Sequence, residues 1–585
     1  MEPYETSGNP EELSVSISSV HLQNGTSITL PRAGVTVIVG PNNAGKSTLI
    51  REILAHVKHG VRREYLVGSE NVVKEVDVEI SGTFEDAFAW FSRHAKLTKV
   101  PNGDYFSRPQ GRVSVLALKR LFSSTRPESG LDDAAEMFTF FGDAWQRLGG
   151  INSVDKRDAY DAPAENPLHV LQDRPDLFSE LNEICRQIFG VTLTLDSLGR
   201  SLHLRVGETD LESPKFDEVT EEYWKAVSQL PMLSAQGDGM KSLVGLITPL
   251  VTSAYPVIFV DEPEAFLHPP QALALGQVLG SQARSKRTQV ILATHDRNIL
   301  SGLLQSGVEV SIVRLDRLPD GRNRTHQLEV ESIREVWGDP VLRYSNALEG
   351  IFHKAVVLAE AERDCKFYAS ALEKLDGAEP SFILPGDILC VPSGGKDGFP
   401  RLAKVMKSLN VPVAVSPDLD ILNDRNKLKT LVHSVGGDWS ALEGLYQRAT
   451  AEFRNPREAT TINHVLEALN SVYAARLGEP FNSSVRAEFG VHMRAKESPW
   501  QELKRYGVAA FRADRVSANL LLEELHAIGI VPVHVGELEG FAPGIGVAKG
   551  PAWLAAALQA KAHEQEPARQ HAAALLAAVS SMAQY

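Results

Sequence analysis

The stretch from Val35 to Val57 constrains the fold more than any other part of the chain. Five β-branched residues, Val35 to Val39, run into Gly40-Pro-Asn-Asn-Ala-Gly45-Lys46-Ser47, and a helical pattern follows to Val57. The spacing fits GxxxxGK[ST] between a strand and a helix. Its glycines let the backbone curl so that N–H groups face a phosphate. Gly40, Asn42, Asn43, Gly45 and Thr48 would line that loop. Lys46 would reach the β- and γ-phosphates of ATP, and Ser47 would hold Mg²⁺ beside the positive end of the helix.

Two later segments fit the same site. Val257 to Val260 end in Asp261-Glu262, a buried strand closing on two carboxylates. Asp261 is placed to contact Mg²⁺ directly or through water, and Glu262 to activate the attacking water. The text continues Pro-Glu-Ala-Phe-Leu-His-Pro and, after another apolar strand, reaches Thr294-His295, where His295 would contact the γ-phosphate. Together these segments resemble the Walker B, D-loop and H-loop of ABC-type ATPase heads of the SMC/RecF-like group. The resemblance implies a signature loop shortly before Asp261, matched by Leu233–Ser242 with Ser234, Gly237, Gly239 and Lys241. It also implies ATP held between two heads, hence a homodimer or higher oligomer. The interval between Ser47 and Asp261 lacks heptads, which disfavours an SMC-type coiled coil.

A second set of carboxylates lies further on. Strand-like runs at 355–360, 387–393 and 411–416, separated by helical text, predict a small parallel sheet. Glu360 ends the first run, Asp364 opens the next helix, and Asp418-x-Asp420 ends the third run. Ligand sites in such sheets lie at the carboxyl ends of strands, so these four acids would converge. Crowded carboxylates without His or Cys favour Mg²⁺ or Mn²⁺. Two such ions can activate water and stabilise the leaving oxygen of a phosphodiester. The alternative is that the acids are helix caps and solvated strand ends. The pattern resembles the Toprim domain of topoisomerases, primases and certain nucleases, with Ala361 where that family has glycine and Asp424 as an additional carboxylate.

An ABC-type head followed by a Toprim domain with a helical insertion resembles the OLD (overcoming lysogenization defect) family of ATP-dependent nucleases, over about residues 14–545. Further matches are Ser393-Gly394-Gly395-Lys396 and Gly536-Glu537-Leu538-Glu539. The resemblance implies a metal-dependent DNA endonuclease in anti-phage defence, with a second defence-system protein as a plausible partner. Its catalytic residues would be Glu262, Glu360, Asp364, Asp418, Asp420 and Lys504, with Glu537 or Glu539 completing the metal shell. Lys504 reads equally as a solvated helix lysine. The main competing reading is a RecF- or SMC-like DNA-binding ATPase with a purely structural Toprim domain, favoured by Ala361. A strand-passing or primase-type enzyme is another, but no winged-helix-like segment is there to supply the nucleophilic tyrosine.

The expected fold class is α/β throughout. Residues 1–13 read as a flexible leader and 14–345 as the ATPase domain, with 120–230 a mostly helical insertion and candidate dimerisation element. Residues 350–545 read as the Toprim domain, with a helical insertion at 424–500 and a last strand at 530–536. An Ala-rich helical tail, 546–585, suits packing or subunit contact. Arg401, Lys404 and Lys407 on one helix, and Arg425, Lys427 and Lys429 after Asp420, suit phosphate contacts if they share a groove and are otherwise solvated faces. The 74 acidic against 60 basic side chains give a net charge of −14, which argues against coating nucleic acid with bulk positive charge. Three separated cysteines without a CxxC pair argue against a disulfide scaffold or zinc ribbon. With no long apolar run and no signal-like start, the expectation is a cytoplasmic protein without a membrane span.

Overall fold

The β-branched run becomes the strand Gly34–Val39, buried along its whole length near the middle of a six-stranded sheet. In the computed structural model described here, residues 13–583 are described, apart from 61–71, 124–129, 329–337, 339–345, 376–382, 455–460, 494–498 and the loop positions 102, 109–110, 150–151, 160–161, 213, 215–217 and 319. The leader expected at 1–13 lies outside these residues except for its last position. The chain divides into two units, Met1–Asp339 and Pro340–Tyr585.

In the first unit the strand order is Asn323–Leu328, Val310–Arg317, Gly34–Val39, Gln289–Ala293, Val257–Asp261, Thr139–Gly142. All neighbours are parallel except the Val310–Arg317/Asn323–Leu328 hairpin. The register aligns Asp261 with Ala293 and Ala293 with Ile38, so three strands end in one row. Helix Lys46–His59 follows the loop and buries Leu49, Ile50, Ile53 and Val57, the i, i+3/i+4 face that docks on the sheet. Gln289 ties this sheet to the antiparallel strand Ser14–Leu22: its amide accepts from the Ile17 N–H at 2.8 Å and donates to the Ile17 carbonyl at 2.7 Å.

Among the described residues of the interval 120–230 helices predominate, with strands between them. Thr139–Gly142, inside text that reads as helix, is the edge strand of the central sheet, paired with Val257–Val260. Its β-branched and aromatic residues suit a strand once a partner is present, and tertiary pairing overrides the local periodicity. Strands also occur at Leu193–Asp196 and Ser201–Val206. Strand Gly111–Ser114 gives way directly to helix Val115–Ser123.

The second unit is built on a parallel sheet ordered Ile388–Pro392, Ala355–Ala359, Val413–Ser416. The central strand is buried throughout, and Ala359 sits level with Pro392 and Ser416, so the carboxyl ends coincide. The strand expected at 530–536 reduces to an isolated bridge of Ile530 with Val415. Val531 and Val533 still donate to the Val415 and Pro417 carbonyls at 2.8 and 2.9 Å. Pro532 between them has no N–H to give, which confines the segment to a sheet edge. Residues 424–500 hold helices, including Arg425–Ser434, Trp439–Ala449, Ile462–Ala475 and Ser483–His492, and no strand among the described residues.

The Ala-rich tail packs into the core of this unit. Trp553, Ala557, Ala572, Leu575 and Val579 join Val357, Phe367 and Phe541 in one apolar cluster. From helix Glu566–Ala583, His571 Nε2 meets the Ser416 hydroxyl at 2.8 Å, beneath the strand end that leads to Asp418. Burial pushes the His571 imidazole down to about 3, so it is neutral there.

Candidate functional site

The row of strand ends in the first unit carries the phosphate loop. Gly40 has φ +144, and a Cβ built on it would lie 2.1 Å from the Leu315 carbonyl oxygen, so only glycine fits. Asn43 and Gly45 are also left-handed, at φ 62 and 94. Asn42, Asn43 and Thr48 are exposed around the loop. Lys46 Nζ donates to the Gly40 and Pro41 carbonyl oxygens, each at 2.9 Å. Burial lowers the pKa of Lys46, an effect opposed by Glu262, Glu264 and Asp261. The Ser47 hydroxyl donates to Asp261 Oδ1 at 3.0 Å, which brings together the two side chains that would share a Mg²⁺ ion. Burial, opposed by the Ser47 hydrogen bond and reinforced by Glu262, raises the Asp261 carboxyl above its usual range.

Glu262 is held in an uncommon backbone conformation, φ +50, and its N–H donates to the Ala293 carbonyl at 2.9 Å. His295 Nδ1 lies 3.6 Å from Glu262 Oε1 and 3.2 Å from Glu264 Oε1. Two side chains missing from the sequence reading complete this arrangement. Glu264, almost fully buried, accepts from the Thr294 hydroxyl at 2.8 Å and the His295 N–H at 3.1 Å, while its Oε2 has no partner among the described residues. Arg147, fully buried, donates to the carbonyl oxygens of Asp261 and Glu262 at 3.1 and 3.0 Å. It follows the edge strand Thr139–Gly142, so its place depends on a sheet neighbour that no local pattern announces. Glu264 stands inside the quoted DEPE text and could have been read as a candidate.

The expected signature residues sit at the start of helix Asp238–Val251. Ser234 and Gly237 are exposed. A Cβ on Gly239 would lie 2.5 Å from the Phe266 carbonyl, so this helix start packs on the loop after Glu262. Lys241 is paired within its own helix to Asp238 at 2.6 Å.

In the second unit one carboxylate oxygen from each of Glu360, Asp418 and Asp420 lies within 4.8 Å of the others. A divalent cation with oxygen ligands at ~2.0–2.6 Å fits such a spacing. Glu360 Oε1 also accepts the Asp418 N–H at 3.1 Å, locking two neighbouring strand ends together. Burial, then the charges of Glu360, Asp420 and Asp364, push the Asp418 carboxyl up to about 8. Glu360 is raised as well, chiefly by burial.

The other expected ligands stand apart from this trio. Asp364 accepts the Ala361 N–H at 2.7 Å as part of its helix start, and burial raises it to about 6. Glu537 pairs with Lys549 and lies 3.9 Å from Lys504. Glu539 lies 3.1 Å from Arg363. Ala361 itself has φ −139, extended backbone open to any residue, so nothing there demands glycine.

Lys504 does reach the trio, 3.5 Å from Asp420 Oδ2 and 3.9 Å from Asp418 Oδ2. Burial lowers its ammonium pKa, but Asp420, Asp418, Glu537 and Glu360 outweigh that and raise it overall. Gly536, at φ +102, makes this approach: a Cβ there would be 2.2 Å from the Lys504 carbonyl. Lys396, quoted in the sequence only as part of a motif, is hydrogen-bonded to Asp420 Oδ1. In the basic clusters Arg425 pairs with Glu443, Lys427 with Asp397 at 2.7 Å, and Lys407 Nζ donates to the Val435 carbonyl at 3.4 Å. These three are engaged within the unit.

With this geometry in hand, comparison with known proteins bears on the first unit. A family model described as "AAA domain, putative AbiEii toxin, Type IV TA system" matches residues 193–301. That range contains the Leu233–Ser242 segment, the Asp261-Glu262 strand end and Thr294-His295. The uncharacterized protein MJECL11 of Methanocaldococcus jannaschii is 30% identical over 107 residues, 17% of this chain and 90% of that protein. Over that stretch the chain belongs to the family of MJECL11. Among solved structures, an Smc head bound to the C-terminal winged-helix domain of ScpA aligns with 55% of this chain and 99% of its own, at 13% identity and a TM-score of 0.32. An ATP-binding cassette of an ABC transporter in its ADP conformation aligns with 57% of this chain and 96% of its own, at 15% identity and a TM-score of 0.26. At these scores no role carries over from either structure. The AAA-domain match over 193–301 and the phosphate loop at 40–47 both fit an α/β P-loop ATPase fold for the first unit. Among the described residues no helix is long and apolar enough to cross a membrane.

Proposed function

We propose that the chain is an ATP-hydrolysing, divalent-metal-dependent DNA endonuclease of the OLD type, with the second unit as its Toprim nuclease domain. The observation that carries this reading is the meeting of Glu360, Asp418 and Asp420 at the carboxyl ends of two adjacent parallel strands, with Lys504 beside them. Mg²⁺ or Mn²⁺ held there would supply Lewis-acid activation of water and stabilise the leaving oxygen. Glu360, Asp418 and Asp420 bind and orient, and the Lys504 ammonium meets the negative charge that grows on the phosphate in the transition state. Asp364, Glu537 and Glu539 support this set from its margins.

In the first unit Lys46 and the loop N–H groups bind the phosphates of ATP, Ser47 and Asp261 hold its Mg²⁺, and Glu262 takes the proton of the attacking water. The exposed Ser234 and Gly237 suit a nucleotide on a second copy, so the working form is a dimer or larger. ATP state controls cleavage, and the setting is anti-phage defence in the cytoplasm, with room for a second protein. The competing reading is a DNA-binding ATPase with an inert second unit; against the weight it puts on Ala361, the extended backbone there suits any residue.

The test is incubation of plasmid with protein, ATP and Mg²⁺ or Mn²⁺, comparing wild type with Asp418→Ala and Lys46→Ala. Loss of cleavage in Asp418→Ala and of ATP turnover in Lys46→Ala is expected. Cleavage that persists in Asp418→Ala sinks the nuclease assignment, and turnover that persists in Lys46→Ala sinks the ATP site.

A further inference from the structure

Both oxygens of Asp420 face ammonium groups. Lys396 is hydrogen-bonded to Oδ1, and Lys504 lies 3.5 Å from Oδ2. The two lysines are held differently. Lys504 is spread over Asp418, Asp420 and Glu537 at 3.5–3.9 Å. Lys396 makes one direct bond to one carboxylate, and both partners are about four-fifths covered, at 22% and 19% exposure.

The backbone under Lys396 is fixed. The Ser393 N–H donates to the Ala359 carbonyl at 2.8 Å and the Gly395 N–H to the Glu360 carbonyl at 2.9 Å. Gly394 and Gly395 take φ 74 and 108, and a Cβ on Gly398 would lie 1.9 Å from the Ser393 carbonyl. The loop is thus clamped to the strand end that carries Glu360, and only the four-carbon side chain is left to move. A divalent cation bound by one oxygen of each trio member needs an Asp420 oxygen. A doubly charged ion with three carboxylate ligands outcompetes a single ammonium for it.

We propose that Lys396 and the divalent cation exchange at Asp420, and that the displaced ammonium is presented to a phosphate of bound DNA. This rests on the nuclease reading above and adds to it a residue that couples cation uptake to substrate contact. The lysine stays protonated: its hydrogen bond moves from Asp420 Oδ1 to a phosphate oxygen, and no proton or electron is exchanged.

The test titrates Mn²⁺ into the full-length chain by calorimetry, comparing wild type, Lys396→Met and Lys404→Met. Lys404→Met removes an equal charge from the neighbouring helix Phe399–Ser408 without touching the trio. Lys396→Met is expected to bind Mn²⁺ about threefold to tenfold tighter, and Lys404→Met to stay within about twofold of wild type. In a second arm, a phosphorothioate duplex is bound in the presence of Ca²⁺, and Lys396→Met is expected to bind it about threefold to tenfold more weakly than wild type. Equal tightening in both variants, unchanged Mn²⁺ affinity in Lys396→Met, or unchanged duplex affinity overturns the exchange. If wild type takes up no Mn²⁺, the nuclease reading itself falls and this proposal falls with it.

Discussion

The Arg147 guanidinium donates to the carbonyl oxygen of Glu262 at 3.0 Å, and through the same fork to that of Asp261 at 3.1 Å. A fully buried cation from the short helix Ala144–Gly149, just after the edge strand, thereby fixes the backbone of both carboxylates. Burial lowers the pKa of Arg147, and Glu264, Asp143, Asp261 and Glu262 oppose that shift. Replacing it with Met removes two hydrogen bonds from a charged donor, at about 1.5–3 kcal/mol each. Arg147→Met should lower the melting temperature and cut ATP turnover more than it weakens ATP binding. Scanning calorimetry with a nucleotide-binding assay checks this, and unchanged turnover would remove Arg147 from the site.

Glu262→Gln keeps the shape of the side chain and removes its basicity. ATP turnover should fall by about 10²–10⁴-fold, with nucleotide still bound. Single-turnover hydrolysis measures it, and a fall of less than about tenfold would assign the proton to another group.

The second unit should respond to pH and chelation together. Asp418 is raised to about 8 and Asp364 to about 6, whereas the unfolded chain titrates these acids near the ordinary value of 3.8. The folded state therefore holds more protons between those limits. The stability these groups contribute is fully present below about pH 4 and is lost as pH rises through 6 and then 8. In EDTA, the melting temperature should fall between pH 5 and pH 8, and Mn²⁺ should restore it by binding the ionised trio. Asp418→Asn should flatten that dependence. A chelated protein more stable at pH 8 than at pH 5 contradicts the assignment.

Asp364 and Asp420 should separate in cation binding. Asp420 belongs to the oxygen trio, whereas Asp364 is occupied by the Ala361 N–H. Asp420→Asn should weaken Mn²⁺ binding by more than about tenfold, and Asp364→Asn by only a few fold. Equal losses in the two titrations would place Asp364 among the direct ligands.

What could be read from the sequence follows from which constraints are local. Gly40 and Lys46 announce a phosphate loop because backbone curvature and charge must occur within eight residues of chain. Glu360 and Asp418-x-Asp420 are legible because parallel strands bring their carboxyl ends together wherever they fall in the sequence. Arg147 was invisible, since its value lies in two carbonyls at a strand end more than a hundred residues away. Lys396 stood in plain view within Ser-Gly-Gly-Lys, but only the folded loop aims it at Asp420. Thr139–Gly142 read as helix because its pairing partner, not its own periodicity, makes it a strand. At 530–536 the apolar pattern was genuine, and Pro532 limited what it could become.

The His571–Ser416 contact joins residues 155 positions apart. At synthesis rates of about 5–20 residues per second, Ser416 leaves the ribosome roughly 8–30 s before His571, on the helix that supports it. Until that helix arrives, the core beneath Asp418 lacks one wall, and the carboxylate trio has no settled floor. A nascent chain therefore carries the acids before their support, and Glu360, Asp418 and Asp420 are held in place only after helix Glu566–Ala583 has been made.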